Sequence, residues 1–186
     1  YPQRVFAREI SRLIQKSKKL EFELLDVPCG NGETTYLFSK RLLPNKIYGC
    51  DLDEKSIQRA CDVFGNKTVH WKVGEIFNVL NGNKKYDFIC IINSLFLLPE
   101  TDRLFDSIKK AIMPEGSIFL IVPNIESKNY RSLPEEYKKQ NTFTPNFEEL
   151  KSYFEKQHFI IINSNGIVYA NLYGRQELKY LSLFAP

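Results

Sequence analysis

A glycine-containing turn and a downstream aspartate are the residues whose types and spacing indicate binding chemistry. The turn, 28–32, follows a short apolar run and leads into an amphipathic helix pattern. Free backbone N–H groups at the start of a helix suit a phosphate or carboxylate. Asp51, 19 residues after Gly32, ends the next strand pattern, where a carboxylate accepts hydrogen bonds from ribose hydroxyls. Together these residues predict a site for an adenosine-like ligand.

The elements that must position these residues alternate strand and helix. The strand patterns are 22–27, 47–50, 69–73, 86–92, 118–122, 159–162 and 178–184. The helix patterns are 3–18, a segment from the glycine turn through residue 42, 54–64, 102–112 and 147–156. Residues 113–116 are predicted as a turn. Because several strands are almost continuously apolar, they suit a sheet covered on both faces, so we predict a doubly wound, mostly parallel α/β fold.

Length and composition limit the fold and the compartment. The 186 residues allow one domain, and 43% apolar with 26% charged residues is typical of a folded, soluble protein. A net charge of +4 is too small to indicate a polyanionic partner. The four cysteines form no C-x-x-C motif, so we expect reduced thiols, a cytoplasmic location and no metal. No apolar run is long enough to span a bilayer. Because the chain opens at Tyr1 and not at a methionine, we expect residues to precede it.

The glycine spacing separates two cofactor classes. A dinucleotide site needs G-x-G-x-x-G, but Gly30 and Gly32 are followed by Thr35 at the third position. The run Asp26-Val-Pro-Cys-Gly30-Asn-Gly32 instead resembles motif I of the class I S-adenosylmethionine-dependent methyltransferases, D-x-G-x-G-x-G. Pro28 stands in place of the first glycine.

The resemblance continues in chain order over about residues 20–165. Tyr48-Gly-Cys-Asp51-Leu-Asp53 is similar to the family's acidic loop after the second strand. Gly74-Glu75-Ile76 is similar to its G-D-A adenine contact, and 108–116 to the turn before its fifth strand. The resemblance implies a seven-stranded sheet with an antiparallel last strand. It also implies S-adenosylmethionine as the cofactor and S-adenosylhomocysteine as the product.

The resemblance also implies how the methionine end of the cofactor is held. The helix N-terminus around Gly32 binds the carboxylate, and Asp26 balances the ammonium group directly or through water. The alternative for Asp26 is a residue that caps its own turn.

At the adenosine end, the resemblance implies that Asp51 holds the ribose. Leu52 and Ile76 enclose the adenine, and Glu75 accepts a hydrogen bond from its exocyclic amine; the alternative for Glu75 is a solvated loop carboxylate. The expected cofactor-binding residues are Asp26, Pro28, Gly30, Asn31, Gly32, Asp51, Leu52, Glu75, Ile76 and Asn93.

A small molecule is the expected methyl acceptor. Asn93-Ser-Leu-Phe96 matches the D/N-P-P-Y/F pattern of DNA amino-methyltransferases only at its first and last positions, which makes nucleic acid a minority interpretation. Residues 122–124 and 143–150 resemble small-molecule methyltransferases of the quinone-biosynthesis and surface-polysaccharide type. Methyl transfer is then an in-line displacement, in which alignment supplies most of the acceleration.

A polar, aromatic-bearing segment, 123–146, has no clear period and is predicted as a lid. The candidate acceptor contacts are Phe96, Tyr130, Arg131 and Tyr137. No catalytic base is assigned, because neither histidine follows a strand of the predicted site. The expected division is an N-terminal helix over 1–19, a cofactor-binding core over 20–122, the lid, and C-terminal elements over 147–186.

Two other functions remain open. An RNA or protein methyltransferase would use the basic stripe of the first helix, formed by Arg4, Arg8, Arg12 and Lys16. A non-catalytic scaffold would bind the cofactor without turnover. The sequence leaves the acceptor atom and the oligomeric state open.

Overall fold

A computed structural model describes residues 2–43, 45–95, 98, 100–123, 125–126, 131–132, 135, 146–171 and 174–184. The helices are α1 (Pro2–Lys16), α2 (Glu33–Arg41), α3 (Glu54–Phe64), α4 (Ile76–Leu80), α5 (Thr101–Ala111) and α6 (Phe147–Lys156). The strands are β1 (Glu23–Asp26), β2 (Lys46–Asp51), β3 (His70–Val73), β4 (Tyr86–Ile92), β5 (Ile112–Pro123), β6 (Ile160–Asn171) and β7 (Gly174–Phe184).

The strands form one sheet in the order β3-β2-β1-β4-β5-β7-β6. Strands β1 to β5 pair in parallel, whereas β7 runs antiparallel to both β5 and β6. The predicted fold class, a mostly parallel α/β sheet with an antiparallel last strand, is confirmed. Because consecutive carboxyl ends of parallel strands meet at one edge, the loops after β1, β2, β3 and β4 converge there.

Hydrophobic layers cover both faces of this sheet. Along β4, Phe88 and Cys90 face the layer that contains α1 and α2, whereas Ile89 and Ile91 face the layer that contains α4, α5 and α6. Alternate residues of a strand point to opposite faces, so a strand buried on both sides is apolar throughout.

Several local predictions differ from the structure. Strands β6 and β7 are longer than the predicted 159–162 and 178–184. Helix α4 was not predicted, because its five residues make little more than one turn and show no period in the sequence. Residues 113–116, predicted as a turn, belong to β5. The pairing of β4 with β5 is irregular there, because Tyr86 pairs with Ile112 and Phe88 pairs with Ser117. A Cβ at Gly116 would lie 2.6 Å from the Ile112 side chain, so this irregularity requires a residue without a side chain.

Candidate active site

A cavity of about 990 Å³ opens where β1, β2, β3 and β4 end. Its wall combines the turn after β1, the loops after β2 and β3, the end of β4, and the start of α1. The lining residues include Gln3, Phe6, Pro28, Gly30, Asn31, Glu33, Asp51, Leu52, Asp53, Glu75, Ile76, Asn93 and Ser94. Ligand cavities in proteins reach this size, and in open α/β sheets they occupy this edge.

Asp51 joins the glycine turn to the loop after β2. Its Oδ2 accepts a hydrogen bond from the backbone N–H of Gly30 at 2.7 Å, and its Oδ1 accepts one from the N–H of Asp53 at 3.0 Å. The N–H of Cys29 donates to the carbonyl of Cys50 at 2.9 Å. These bonds fix the Asp51 carboxylate at the cavity wall, and each carboxylate oxygen retains acceptor capacity for a ligand hydroxyl.

The turn after β1 ends at Gly32, which precedes α2 in the left-handed conformation with φ of 76°. The first backbone N–H groups of a helix lack intrahelical partners, and no side chain among the described residues caps the start of α2. Glu33 lies in the first turn and lines the cavity. Its carboxylate interacts favourably with the helix dipole and would repel a ligand carboxylate placed beside it.

Gly32 itself faces the protein rather than the cavity. A Cβ there would lie 2.5 Å from Trp71 and 2.8 Å from the Ala60 Cβ, whereas a Cβ at Gly30 would meet nothing within 4 Å. Gly30 lines the cavity and Gly32 does not. The two glycines therefore act differently: Gly32 allows close packing on Trp71, and Gly30 leaves room at the ligand side.

Asp26, at the end of β1, lies behind the turn and not among the lining residues. Its side chain is 1% exposed, and its Oδ2 accepts a hydrogen bond from the Thr35 hydroxyl at 2.6 Å. Its Oδ1 has no partner among the described residues. Burial raises the pKa of Asp26 to about 7, partly opposed by the Thr35 hydrogen bond and assisted by the nearby Asp51 charge.

The loops after β2 and β3 form the other side of the cavity. Leu52 is 69% exposed, whereas Ile76, at the start of α4, is 8% exposed. Glu75 caps α4 by accepting a hydrogen bond from the N–H of Asn78 at 2.9 Å. Asp53 caps α3 in the same manner, through the N–H groups of Lys55 and Ser56.

The charge of the cavity wall is opposite to that of the whole chain. Four carboxylates line it, on Glu33, Asp51, Asp53 and Glu75, and the lining residues within the described ranges include no lysine, arginine or histidine. The chain as a whole carries +4. This wall suits a ligand with positive charge and gives no cationic partner for a pyrophosphate.

Most of the predicted cofactor residues lie together at this cavity. Those in its wall are Pro28, Gly30, Asn31, Asp51, Leu52, Glu75, Ile76 and Asn93. Asp26 and Gly32 are adjacent to the wall in sequence but do not line it. The cofactor contacts of all ten residues remain predictions.

The structure describes one of the four predicted acceptor residues, Arg131. Phe96, Tyr130 and Tyr137 lie outside the described residues. Arg131 is exposed and is not among the lining residues. Neither histidine lines this cavity: His70 stacks on Tyr48 at 4.9 Å between ring centroids.

Sequence reasoning missed the contribution of α1. Gln3 and Phe6 line the cavity, and Phe6 also packs in the layer below the sheet. The helix pattern showed an apolar face and a basic stripe, and Gln3 belongs to neither. Ser94, directly after the predicted Asn93, was also missed.

The family model of the methyltransferase domain matches residues 1–165. The chain belongs to the methyltransferase domain family. In sequence it is 29% identical over 160 residues to "Putative methyltransferase 235L" of Invertebrate iridescent virus 6, covering 84% of this chain and 56% of that protein. It is 26% identical over 168 residues to the mitochondrial ubiquinone biosynthesis O-methyltransferase of Dictyostelium discoideum, covering 78% and 52%. The chain thus spans about half the length of these curated relatives.

A solved structure shares the fold. Magnesium protoporphyrin IX methyltransferase from Synechocystis PCC 6803, with bound S-adenosylhomocysteine, aligns with a TM-score of 0.72 at 12% identity, over 98% of this chain and 83% of that one. At family level, these matches confirm the predicted class I methyltransferase, an enzyme family that uses S-adenosylmethionine. Among the described residues, no helix is long and apolar enough to cross a membrane.

Proposed function

We propose that this methyltransferase domain transfers the methyl group of S-adenosylmethionine to a small-molecule acceptor. The cavity supports the cofactor part of this proposal most directly, because eight of the ten predicted cofactor residues lie in one wall at the carboxyl edge of the sheet. S-adenosylmethionine, when bound, supplies an activated methyl group on a positively charged sulfur.

The residues of the wall fit this cofactor. Asp51 offers a fixed carboxylate for ribose hydroxyls, and the exposed Leu52 side chain offers an apolar surface for adenine. Four carboxylates suit a ligand that carries a sulfonium and an ammonium group. The open space beside Gly30 lets a ligand approach the backbone.

The contribution of the chain to the reaction is positioning. In an in-line displacement, the rate depends on how well nucleophile, methyl carbon and sulfur are aligned. The wall binds the ends of the cofactor and thereby fixes its sulfur. We assign no general base. An acceptor whose nucleophilic atom carries an acidic proton depends least on such a base.

The relative from Dictyostelium supports a small-molecule acceptor, because its name describes an O-methyltransferase of ubiquinone biosynthesis. We therefore propose hydroxylated aromatic compounds as the first acceptors to test. The four free cysteines agree with the expected cytoplasmic location.

Calorimetric titration with S-adenosylhomocysteine, beside NAD as a matched adenosine-containing control, tests the cofactor assignment. We expect micromolar binding of S-adenosylhomocysteine and none of NAD. Equal binding of both, or binding of neither, would contradict the proposal. Binding without turnover on hydroxylated aromatics and amines would favour the non-catalytic scaffold.

An RNA or protein acceptor is the second candidate, because α1 is exposed along its basic stripe. In the structure, however, Arg8 and Arg12 both pair with Glu9, at 3.0 and 3.2 Å. These pairs reduce the positive charge available to a polyanion. RNA binding that weakens steeply between low and physiological salt would favour this candidate over a small molecule.

A further inference from the structure

A second cavity, of about 580 Å³, lies at the opposite edge of the sheet from the candidate active site. It opens where β4 and β5 begin and where α5 and α6 end. We call it the lysine cavity. It is lined by Lys85, Lys109, Ile112, Met113, Pro114, Gln157, His158 and Phe159, none of which lines the first cavity. Because the seven residues of β4 separate the two cavities, these lie about 20 Å apart.

The polar part of the lysine cavity carries positive charge. Two lysines and one histidine line it, and its lining residues within the described ranges include no aspartate or glutamate. These side chains are accessible, since Lys85 and His158 are exposed and the Lys109 side chain is 37% exposed. The first cavity, by contrast, is lined by four carboxylates. A ligand with negative charge is therefore favoured in the lysine cavity and disfavoured in the first.

Both lysine ammonium groups are held by uncharged oxygen atoms. Lys85 donates to the backbone carbonyl of Lys110 in the last turn of α5, and Lys109 donates to the side-chain carbonyl of Gln157 at 2.7 Å. The one carboxylate that pairs with either of them among the described residues is that of Asp106, 3.6 Å from the Lys109 Nζ and 66% exposed. An exposed pair at this distance offsets little charge, and each ammonium group has further N–H donors for a ligand.

The rest of the wall is apolar, and an irregularity of β5 forms part of it. Met113 and Pro114 lie between Ile112 and Ser117, where the pairing of β5 with β4 is irregular. Irregular pairing of this kind redirects side chains and is common beside functional sites. Met113 is 38% exposed, so its side chain is available to a ligand. A ligand that fits both parts of the wall has an apolar body and an anionic group.

Two strained residues lie at this cavity. His158 has a φ of 64°, and Glu115, next to the lining residue Pro114, has a φ of 63°. Residues other than glycine rarely adopt this left-handed conformation, and those that do cluster at functional sites. The N–H of His158 donates to the carbonyl of Glu155 at 3.0 Å and closes the end of α6, where glycine is the usual residue. Histidine at this position adds an imidazole to the cavity wall, which glycine would not.

We propose that the lysine cavity binds a small aromatic anion. The ammonium groups of Lys85 and Lys109 bind its carboxylate or phosphate group, and its ring packs on Met113 and Phe159. An aromatic ring suits this wall, because methionine sulfur and phenylalanine both make favourable contacts with rings. The volume is that of a small-molecule site. This site is separate from the proposed methyl-transfer site, and the inference does not rest on the proposed function.

NMR titration of the isotope-labelled full chain with phenyl phosphate tests the location. We expect saturable shifts at the backbone amides of Lys85, Met113 and His158, with a Kd on the order of 1 mM or lower, and none at Gly30 or Asp51. Benzamide, which keeps the ring without the charge, should bind about tenfold more weakly. Inorganic phosphate, which keeps the charge without the ring, should also bind about tenfold more weakly. Titration with benzoate then distinguishes a carboxylate ligand from a phosphate ligand, because the tighter of the two probes identifies the anionic group.

The double variant Lys85→Gln with Lys109→Gln removes both charges. Glutamine keeps an N–H donor for each carbonyl partner, so the local bonds can be retained. We expect the Kd of phenyl phosphate to rise about tenfold or more. The matched control is Lys16→Gln with Lys40→Gln, which removes the same charge from exposed residues that line neither cavity. We expect it to change the Kd by less than about twofold, because salt screens distant charges.

Three results would overturn the inference. They are the lack of a saturable shift at the lining residues, equal affinity for phenyl phosphate and either partial probe, and a loss of affinity in the control variant as large as in the cavity variant. A dispersed amide spectrum shows that each variant is folded. S-adenosylhomocysteine binding, followed at Gly30 and Asp51, tests the proposed function separately in the same samples.

Discussion

The two sides of the cavity differ in how their polar groups are bonded. On the β2 and β3 side, Asp51, Asp53 and Glu75 each accept hydrogen bonds from backbone N–H groups of their own chain. On α1 and after β4, Gln3 and Ser94 hold buried polar atoms without a partner among the described residues. The first side is thus fixed by hydrogen bonds within the fold, whereas the second holds polar atoms that the described residues leave unbonded.

Asp26 stands on β1, between the two sides, and gives the largest expected effect. Its pKa rises from 3.8 to about 7 on folding, so the folded protein binds this proton more tightly than the unfolded chain. Below the unfolded pKa, the carboxyl is protonated in both states and full stability is present. As the pH rises from there through about 7, the unfolded chain ionises more readily than the folded protein, and this stability is lost. Asn has no proton to lose. The difference in free energy of unfolding between Asp26→Asn and wild type should therefore shift in favour of the variant by up to about 4 kcal/mol from pH 4 to pH 8. Urea unfolding of both proteins across this range measures it; a constant difference would contradict the shift.

Gly32 and Gly30 test how far the fold fixes the turn. Gly32→Ala places a methyl group against Trp71 at a residue with φ of 76°, and we expect a loss of about 3 kcal/mol in the free energy of unfolding. Gly30→Ala also has positive φ but meets no atom within 4 Å, and should lose about 1 kcal/mol. Denaturant titration of the two variants makes the comparison. Equal losses would show that packing on Trp71 does not matter.

Asp51 and Asp53 separate ligand binding from capping on the same side. Asp51→Ala removes the carboxylate that we propose binds the ribose, and should weaken S-adenosylhomocysteine binding about a hundredfold. Asp53→Ala removes the cap of α3, which should cost about 1 kcal/mol of stability and change the affinity by less than about threefold. Calorimetry and thermal unfolding of both variants distinguish these outcomes. A similar loss of affinity in Asp53→Ala would mean that wall charge, rather than a specific ribose contact, binds the ligand.

The sequence predicted the β2 and β3 side better than the β4 side for a physical reason. Asp51 ends β2 and Leu52 follows it, whereas Glu75 and Ile76 come within three residues of the end of β3. Residues at the ends of parallel strands converge at one edge of the sheet. Gln3 reaches the cavity through the packing of α1 on the sheet, which depends on tertiary contacts that no local pattern records. Apolar periodicity predicted α1 as a helix but not which of its polar residues approaches the turn.

The remaining differences also follow from tertiary structure. Asp26 matches the sequence motif, yet the Thr35 hydroxyl binds it behind the turn. The ligand contact predicted for Gly32 stays a prediction, and the structure adds that Gly32 packs against Trp71, which lies 39 residues later in the chain. The predicted lid at 123–146 lies mostly outside the described residues and stays a prediction.

The packing of Trp71 against the turn gives the protein a built-in optical reporter. Trp71 is the only tryptophan in the sequence, and its ring contacts the positions of Gly32 and Gly49 while its indole N–H donates to the carbonyl of Gly65 at 2.8 Å. Indole fluorescence responds to the polarity and rigidity of its surroundings. Tryptophan emission, excited selectively over the tyrosines, therefore reports on one place, the underside of the glycine turn, and loosening of that turn can be followed there without a label.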